Sequence, residues 1–127
     1  NDMSTECNNY KECAYKTMDN TFISCNGLSG CSEGTINIAQ SDGYIDCNGQ
    51  TSCYNSRGLS SQGDISCQGY KSCRYSKSII AEGDIECSGW NSCDHEGKQD
   101  TEYKVSSYSD ISCTGSASCG YNTMTSD

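Results

Sequence analysis

The twelve cysteines of this 127-residue chain fall into six pairs, and the two cysteines of each pair are always six positions apart. The pairs are Cys7/Cys13, Cys25/Cys31, Cys47/Cys53, Cys67/Cys73, Cys87/Cys93 and Cys113/Cys119. Around them a block that reads G-[DY]-I-x-C-x-G-x-x-S-C recurs, most completely over residues 63–73 and 83–93. A motif that returns with a constant internal spacing indicates a repeat protein, in which each copy packs against its neighbours along the chain.

The composition excludes a large conventional core. Leu, Ile, Val and Phe together occupy 13 of the 127 positions, well under the roughly one fifth expected of a globular domain. Low hydrophobicity with a net charge of -9 would indicate disorder, but an even number of regularly spaced cysteines indicates covalent stapling in an oxidising compartment. We therefore predict one secreted, extracellular or cell-surface domain that spans residues 1–127.

The spacing of the repeats indicates a solenoid. Successive pairs begin 18, 22, 20, 20 and 26 residues apart, so length varies only after the second cysteine of each pair. Apolar and polar residues alternate around the first cysteine, as at Ile65 and Cys67, which predicts a strand with one buried face. A second inward strand is predicted at Met18, Ile36 or Ile38, Leu59, Ile79 or Ile80, and Val105. The expected fold is all-β: a disulfide-stapled, right-handed parallel β-helix of about six rungs of about 20 residues, beginning near residues 5, 21, 43, 63, 83 and 109.

The pairing of the cysteines constrains the chain between them. Fully extended, a six-residue interval would separate the two Cα atoms by roughly 20 Å, far beyond the roughly 4.4–6.8 Å of a disulfide. If the pairs close within repeats, the chain must turn, and we expect the glycine two residues after the first cysteine to supply a positive φ. We favour this pairing, although equivalent cysteines on adjacent rungs, about 4.8 Å apart, would also be within reach.

Little in the chain points to catalysis. His95, the only histidine, occupies a variable position after the second cysteine and is interpreted as a surface residue. Arg57, Arg74 and Lys77 are basic candidates for a polysaccharide lyase, but they do not align with the acidic positions. Cys-x5-Cys is not a zinc spacing, and oxidised thiols do not bind metal. We predict no enzyme, no catalytic residue and no metal site.

Charge and hydropathy exclude further partners. A pI near 4.3 argues against nucleic acid and anionic lipid, and no apolar run is long enough for membrane insertion. Asp64, Asp84 and Asp110 precede the inward Ile, while Asp46 and Glu86 follow it. Such carboxylates could hold calcium, or they could be a solvated face that protects a sheet edge. We favour the second interpretation and predict no cofactor.

Exposed aromatic residues and an open end are the features that favour association. Tyr10, Tyr70 and Trp90 follow the corner position, and Tyr15, Tyr75 and Tyr121 come two residues after a second cysteine; these six are the candidate interface. The first repeat lacks both the Ile and the Gly and is interpreted as a partial cap. The last repeat lacks an evident cap, and an open rung invites another rung from a neighbouring molecule.

The I-x-C-x-G-x-x-S-C block, over about residues 5–121, resembles the Cys-rich repeats of secreted and cell-surface proteins of protists. The resemblance implies an extracellular structural setting and no catalytic residues. We predict a structural subunit of an extracellular filament or cell-surface assembly, which self-associates rung on rung or laterally through Tyr and Trp. The alternative is an extracellular polysaccharide- or receptor-binding module. Ice binding is less favoured, because no Thr-x-Thr column runs through the chain and Ser52, Ser72, Ser92 and Ser118 form only a single row.

Overall fold

The computed structural model describes residues 4–18, 22–38, 43–94, 104–116, 118–119 and 123–126. Twelve strands and no helix occur in these ranges, so the described chain holds no helix that could cross a membrane. The strands are β1 Ser4–Cys7, β2 Thr17–Met18, β3 Phe22–Cys25, β4 Thr35–Ile38, β5 Tyr44–Cys47, β6 Gly58–Ser61, β7 Asp64–Cys67, β8 Ser78–Ala81, β9 Ile85–Cys87, β10 Lys104–Ser107, β11 Ile111–Cys113 and β12 Thr123–Ser126.

The strands alternate between two parallel sheets. Sheet A has the order β1-β3-β5-β7-β9-β11, and sheet B has the order β2-β4-β6-β8-β10-β12. Each strand pairs with the one two places further along the chain, and equivalent cysteines stay in register, as Cys47 does with Cys67. One sheet A strand, the turns after it and the next sheet B strand make one rung, so rung 1 contains Cys7 and rung 6 contains Cys113. The predicted all-β parallel solenoid is confirmed.

Stacked turns join the two sheets along a third side, which we call the turn side. It comprises residues 9–16 of rung 1 and the equivalent residues of later rungs. Within a rung, the N–H of Glu12 donates to the carbonyl of Asn9 at 3.1 Å and closes a turn. Between rungs, the N–H of Cys53 donates to the carbonyl of Ser72 at 2.6 Å. The turn side therefore has its own inter-rung ladder of backbone hydrogen bonds, which satisfies the polar groups that a turn would otherwise leave unpaired.

The core consists of two apolar columns and a column of sulfur. On sheet A the inward isoleucines of rungs 2 to 5, such as Ile45 and Ile65, are at most 1% exposed, and on sheet B Ile36, Leu59 and Ile79 are equally buried. The period-two alternation predicted these positions correctly. Where Ile79 and Ile80 were alternatives, Ile79 points inward and Ile80 outward.

Six disulfides close within repeats, so the favoured pairing is the one present: Cys7–Cys13, Cys25–Cys31, Cys47–Cys53, Cys67–Cys73, Cys87–Cys93 and Cys113–Cys119. Their Cα atoms are 5.9 to 6.0 Å apart. Neighbouring bridges stack, since the sulfurs of Cys47, Cys67 and Cys73 lie within 4.8 Å of one another. This density of bridges indicates an oxidising, extracellular type of environment.

The prediction that the corner glycines supply a positive φ is wrong. Positive φ angles occur at other positions of the turn side, as at Thr51 with 52° and Asn55 with 56°. The glycines are required because adjacent rungs approach closely at this corner. A Cβ atom on Gly27 would lie 2.5 Å from the carbonyl oxygen of Asn9 in rung 1, and one on Gly89 would lie 2.3 Å from that of Gly69. A side chain at this position therefore collides with the preceding rung.

The two ends of the stack differ in burial. In rung 1, Cys7 is 0% exposed and Cys13 is 5% exposed. In rung 6, by contrast, Ile111 is only half-buried and Cys113 is exposed. Among the described residues, the inward side chains of rung 6 are therefore less covered than those of rung 1.

Candidate functional site

The predicted aromatic interface lies on the turn side, but it is not a continuous surface. Tyr10 is 64% exposed, Tyr15 62% and Trp90 55%. Leu28 and Gln50 occupy the Tyr10 position in rungs 2 and 3, and they separate Tyr10 from the later aromatic residues. Tyr121 lies outside the described residues. The column expected from the sequence is therefore divided into separate groups.

Tyr70 and Trp90 form the first of these groups, with ring centroids 5.2 Å apart. The pair lies at the corner between sheet A and the turn side, and the ammonium of Lys71 lies 5.1 Å from the centroid of the Tyr70 ring. In rung 1, the Tyr15 hydroxyl donates a hydrogen bond of 2.9 Å to Glu33, and this bond raises the pKa of Tyr15 above its ordinary value. Tyr70 and Trp90 are thus the best-developed exposed apolar patch among the predicted interface residues.

Tyr75 packs in a cluster with Arg74 and Tyr54, which the sequence analysis did not predict. The Arg74 guanidinium lies 4.6 Å from the Tyr75 ring centroid, and Tyr54 packs edge-on against the same ring at 5.6 Å. Arg74 Nε lies 2.7 Å from Asp94 Oδ1 in the next rung, and Asp94 is 1% exposed. The sequence signal for this ion pair was the presence of opposite charges directly after the second cysteine of two adjacent repeats. Arg74 thus has a buried partner, unlike the other basic candidates.

The outer face of sheet A is acidic. Among the described residues its outward positions hold no Lys or Arg, and they hold these carboxylates: Glu6, Asp46, Asp64, Asp84, Glu86 and Asp110. We call this surface the acidic face. Asp64, Asp84 and Asp110 form one column of this face, in which each carboxylate binds the backbone of the next rung. Asp64 Oδ1 accepts the N–H of Asp84 at 2.8 Å, and Asp84 Oδ1 accepts the N–H of Asp110 at 3.2 Å. The hydrogen bond from Ser109, with a smaller contribution from the Asp110 N–H, lowers the pKa of Asp84.

The acidic residues do not gather into a ligand cluster within the described part of the chain. There, the only groups of three potential metal ligands within 4.8 Å of one another are cysteines, and all of these are disulfide-bonded. A disulfide offers no thiolate to a metal.

Two basic residues form a second charged surface. Arg57 and Lys77 are the extra residues that rungs 3 and 4 carry between the turn side and sheet B, where rung 2 passes directly from Gly34 to Thr35. The N–H of Arg57 donates to Gly34 and that of Lys77 to Ser56, which stacks the two residues on successive rungs. We call this pair the cationic ridge.

The cationic ridge borders a groove of about 440 Å³ that Glu33 and Asn55 also line. In the described structure neither Arg57 nor Lys77 has a side-chain ion pair, since the one ion pair found joins Arg74 and Asp94. Like charges on neighbouring rungs repel each other, and among the described residues that line the groove only Glu33 carries a negative charge. This makes the ridge a candidate for contact with an external anion.

The serines at positions 52, 72, 92 and 118 are buried, so their row does not present a surface to ice. Among the described residues, the hydroxyls of Ser52, Ser72 and Ser92 have no hydrogen-bond partner. His95 lies outside the described residues.

The sequence reading also missed an aromatic pair on sheet A. Phe22 and Tyr44 occupy the first outward position of β3 and β5, and their ring centroids are 4.8 Å apart. In rung 4 Asp64 takes this position in register with Tyr44. The alternation of outward residues was the signal that could have found them.

No protein-family model, no curated protein and no solved structure matches this chain.

Proposed function

We propose that the protein is a structural subunit of an extracellular assembly, in which the acidic face of one copy binds the cationic ridge of the next. The separation of charge carries this proposal. Six carboxylates and no described Lys or Arg lie on the outer face of sheet A, whereas Arg57 and Lys77 stack at the corner between the turn side and sheet B. Opposite charges on different sides of one molecule favour contact between copies.

The two surfaces share one spacing. Residues in the same column of a parallel stack repeat at about 4.8 Å from rung to rung. Asp84 and Asp110 occupy one such column, and Arg57 and Lys77 occupy another. When two copies lie side by side with their rungs level, two cations therefore meet two carboxylates in step, and guanidinium to carboxylate is among the stronger charge-assisted contacts.

Apolar contact can supplement the charges. The Tyr70–Trp90 pair lies in rungs 4 and 5, at the corner between sheet A and the turn side, and the ammonium of Lys71 lies over the Tyr70 ring. Exposed aromatic residues next to charged ones are typical of the centres of protein contacts. Of the six predicted interface residues, the proposal therefore retains Tyr70 and Trp90, which form the apolar part of the contact.

Contacts of this kind are open-ended. The acidic face and the cationic ridge are different surfaces of the same chain, so each copy that joins leaves one of each exposed. A heterologous contact that does not close into a ring generates rows or filaments. The proposed role is therefore that of a rigid, disulfide-stapled building block of a filament or surface layer.

Lateral contact is better supported than rung-on-rung stacking. Asn9 stands in rung 1 at the position that Gly27 and Gly115 hold in later rungs. A Cβ atom on Gly115 would lie 2.4 Å from the carbonyl oxygen of Gly89 in the preceding rung. If rung 1 of one copy continued rung 6 of another in register, the Cβ of Asn9 would meet the same collision. Asn9 thus opposes seamless end-to-end stacking.

The proposal is tested by measuring assembly at different salt concentrations and in variants that reverse the charge of one lysine. We expect the oxidised protein to form rows at low ionic strength, seen by sedimentation velocity and negative-stain microscopy. At about 1 M salt, where the screening length falls to about 3 Å, the rows should dissociate. Lys77→Glu should abolish assembly, while Lys11→Glu, the same change on the other side of the turn segment, should leave it intact.

A charge reversal distinguishes specific pairing from general repulsion. The variant Arg57→Glu/Lys77→Glu should be monomeric, and adding Asp110→Lys should restore part of the assembly. Monomers at every concentration and salt, or equal effects of Lys77→Glu and Lys11→Glu, would refute the proposal.

A further inference from the structure

We propose that a hollow on sheet A binds one sugar residue, neutral or amino-bearing, of a polysaccharide. The hollow has a volume of about 260 Å³ and is lined by Tyr44, Ile45, Asp46, Asp64, Ser66 and Gln68. It is smaller than the roughly 300–1,000 Å³ of drug-sized ligand sites, which suits a single ring. This inference goes beyond the structural role proposed above and does not depend on it.

Two neighbouring strands build the floor of the hollow. In β5 and β7, Tyr44 lies in register with Asp64, and Asp46 lies in register with Ser66. Outward residues of adjacent parallel strands are about 4.8 Å apart, so an aromatic ring, two carboxylates and a hydroxyl converge on one patch. The backbone of both strands is fixed by the sheet and by the disulfides below it, so the patch is rigid before a ligand arrives.

The aromatic ring supplies the apolar part of the site. Tyr44 is 42% exposed, and Phe22 supports it from the preceding rung with ring centroids 4.8 Å apart. The face of an aromatic ring packs against the C–H face of a pyranose, while the phenolic hydroxyl remains available for a hydrogen bond. Support from Phe22 lowers the entropy that Tyr44 loses on binding.

The polar groups are oriented but not saturated. Asp46 Oδ2 accepts a hydrogen bond of 3.0 Å from Asn48 Nδ2, and Asp64 Oδ1 accepts the N–H of Asp84 at 2.8 Å. Each carboxylate is thus held through one oxygen, and the other can accept from a sugar hydroxyl or ammonium. Between them, the Ser66 hydroxyl is buried and has no hydrogen-bond partner.

Charge selects the class of sugar. The described outward positions of sheet A hold carboxylates and no cation, so uronate and sulfated glycans are repelled. A neutral pyranose meets acceptors for its hydroxyls, and an amino sugar adds an ammonium that Asp46 and Asp64 attract. Both candidate sugars, the neutral and the amino-bearing one, are pyranoses without a negative charge, and this is the ligand class that we propose.

Titration of the isotope-labelled, oxidised protein with defined oligosaccharides tests the site. The probes are a glucosamine tetramer, a neutral glucose tetramer and a uronate tetramer, followed by NMR shifts of residues 44–48 and 64–68. We expect saturable shifts with one or both of the first two probes and none with the uronate. Binding of the glucosamine probe alone would identify the amino sugar, and Asp46→Asn should then weaken it at least tenfold.

Variants separate stacking from general surface effects. Tyr44→Ala should weaken binding at least tenfold, whereas Tyr44→Phe, which keeps the ring, should stay within about threefold. Tyr108 is 63% exposed and does not line the hollow, so Tyr108→Ala is the matched control. No shift with any probe, binding of the uronate probe, or equal effects of Tyr44→Ala and Tyr108→Ala would overturn the proposal. Lys77→Glu should retain sugar binding even where it abolishes assembly.

Discussion

A Cβ atom on Gly69 would lie 2.4 Å from the carbonyl oxygen of Gly49, one rung earlier. The same relationship repeats along the corner at Gly27, Gly89 and Gly115, where the three atoms nearest to the added Cβ all belong to backbone. Backbone in a hydrogen-bonded stack cannot move aside without breaking the ladder. Glycine is therefore required at this corner because adjacent rungs lie so close together, and not because the backbone needs a positive φ.

Gly69→Ala should destabilise the protein by about 3 kcal/mol or prevent folding, because the methyl group forces two rungs apart. Gly58→Ala is the control, since a Cβ there would meet only the Ser78 hydroxyl at 3.5 Å. We expect that variant to stay within about 1 kcal/mol of the parent. Urea unfolding of the oxidised proteins, followed by circular dichroism, measures both. Equal stability of the two variants would contradict the inter-rung explanation.

Asp94→Asn should cost about 3 kcal/mol, because it leaves the Arg74 guanidinium without its buried counter-charge. The ion pair joins side chains that are 11% and 2% exposed, so solvent compensates little. Glu86→Gln removes an exposed carboxylate and should change the free energy of unfolding by less than about 0.5 kcal/mol. Unfolding midpoints of both variants, and of Arg74→Met/Asp94→Leu, test this. If the double variant is no more stable than Asp94→Asn, the loss does not arise from an unpaired buried charge.

Cys113–Cys119 should be the first disulfide to be reduced. Cys113 is exposed and Cys119 half-buried, whereas Cys47, Cys53, Cys67 and Cys73 are 0% exposed. Attack by a thiolate requires access to a sulfur, so the buried bridges need the stack to open first. Stepwise reduction, alkylation of the released thiols and peptide mass spectrometry give the order. Release of a central pair before Cys113 and Cys119 would show that exposure does not govern reduction.

Asp84 should titrate below the ordinary range of an aspartate, and Ser109→Ala should raise its pKa because the main hydrogen bond to the charged form is lost. A depressed folded-state pKa contributes stability that is present above the unfolded-state pKa. That contribution is lost as the pH falls through the folded-state pKa. Ser109→Ala should therefore reduce stability at neutral pH and have no effect through Asp84 once the carboxyl is protonated. Carboxyl carbon NMR across an acid titration measures the pKa in both proteins. An unchanged pKa in Ser109→Ala would remove Ser109 as the cause.

Much of the fold could be read from the residues, because its signals are local. Alternation at Ile65 and Cys67 requires only the period of a strand, and the constant six-residue interval requires only that the chain turn to close a bridge. The inward choice between Ile79 and Ile80 could not be made, because both are apolar and the register of β8 is set by pairing with β6 and β10. The grouping of the candidate interface residues could not be predicted for a similar reason. Tyr75 looked like Tyr15 in sequence, but Arg74, Tyr54 and Asp94 from neighbouring positions enclose it.

By itself the sequence determined the repeat, most of the inward residues and the parallel solenoid, because cysteine spacing and period-two alternation are properties of the chain within one rung. Only the tertiary structure decided which residues meet between rungs. Residues 20 or more positions apart come to lie about one strand spacing from each other, and that distance depends on how rungs stack. It brings Arg57 beside Lys77, Tyr44 beside Asp64 and Gly69 over Gly49. The surfaces proposed to carry function arise from these inter-rung neighbours.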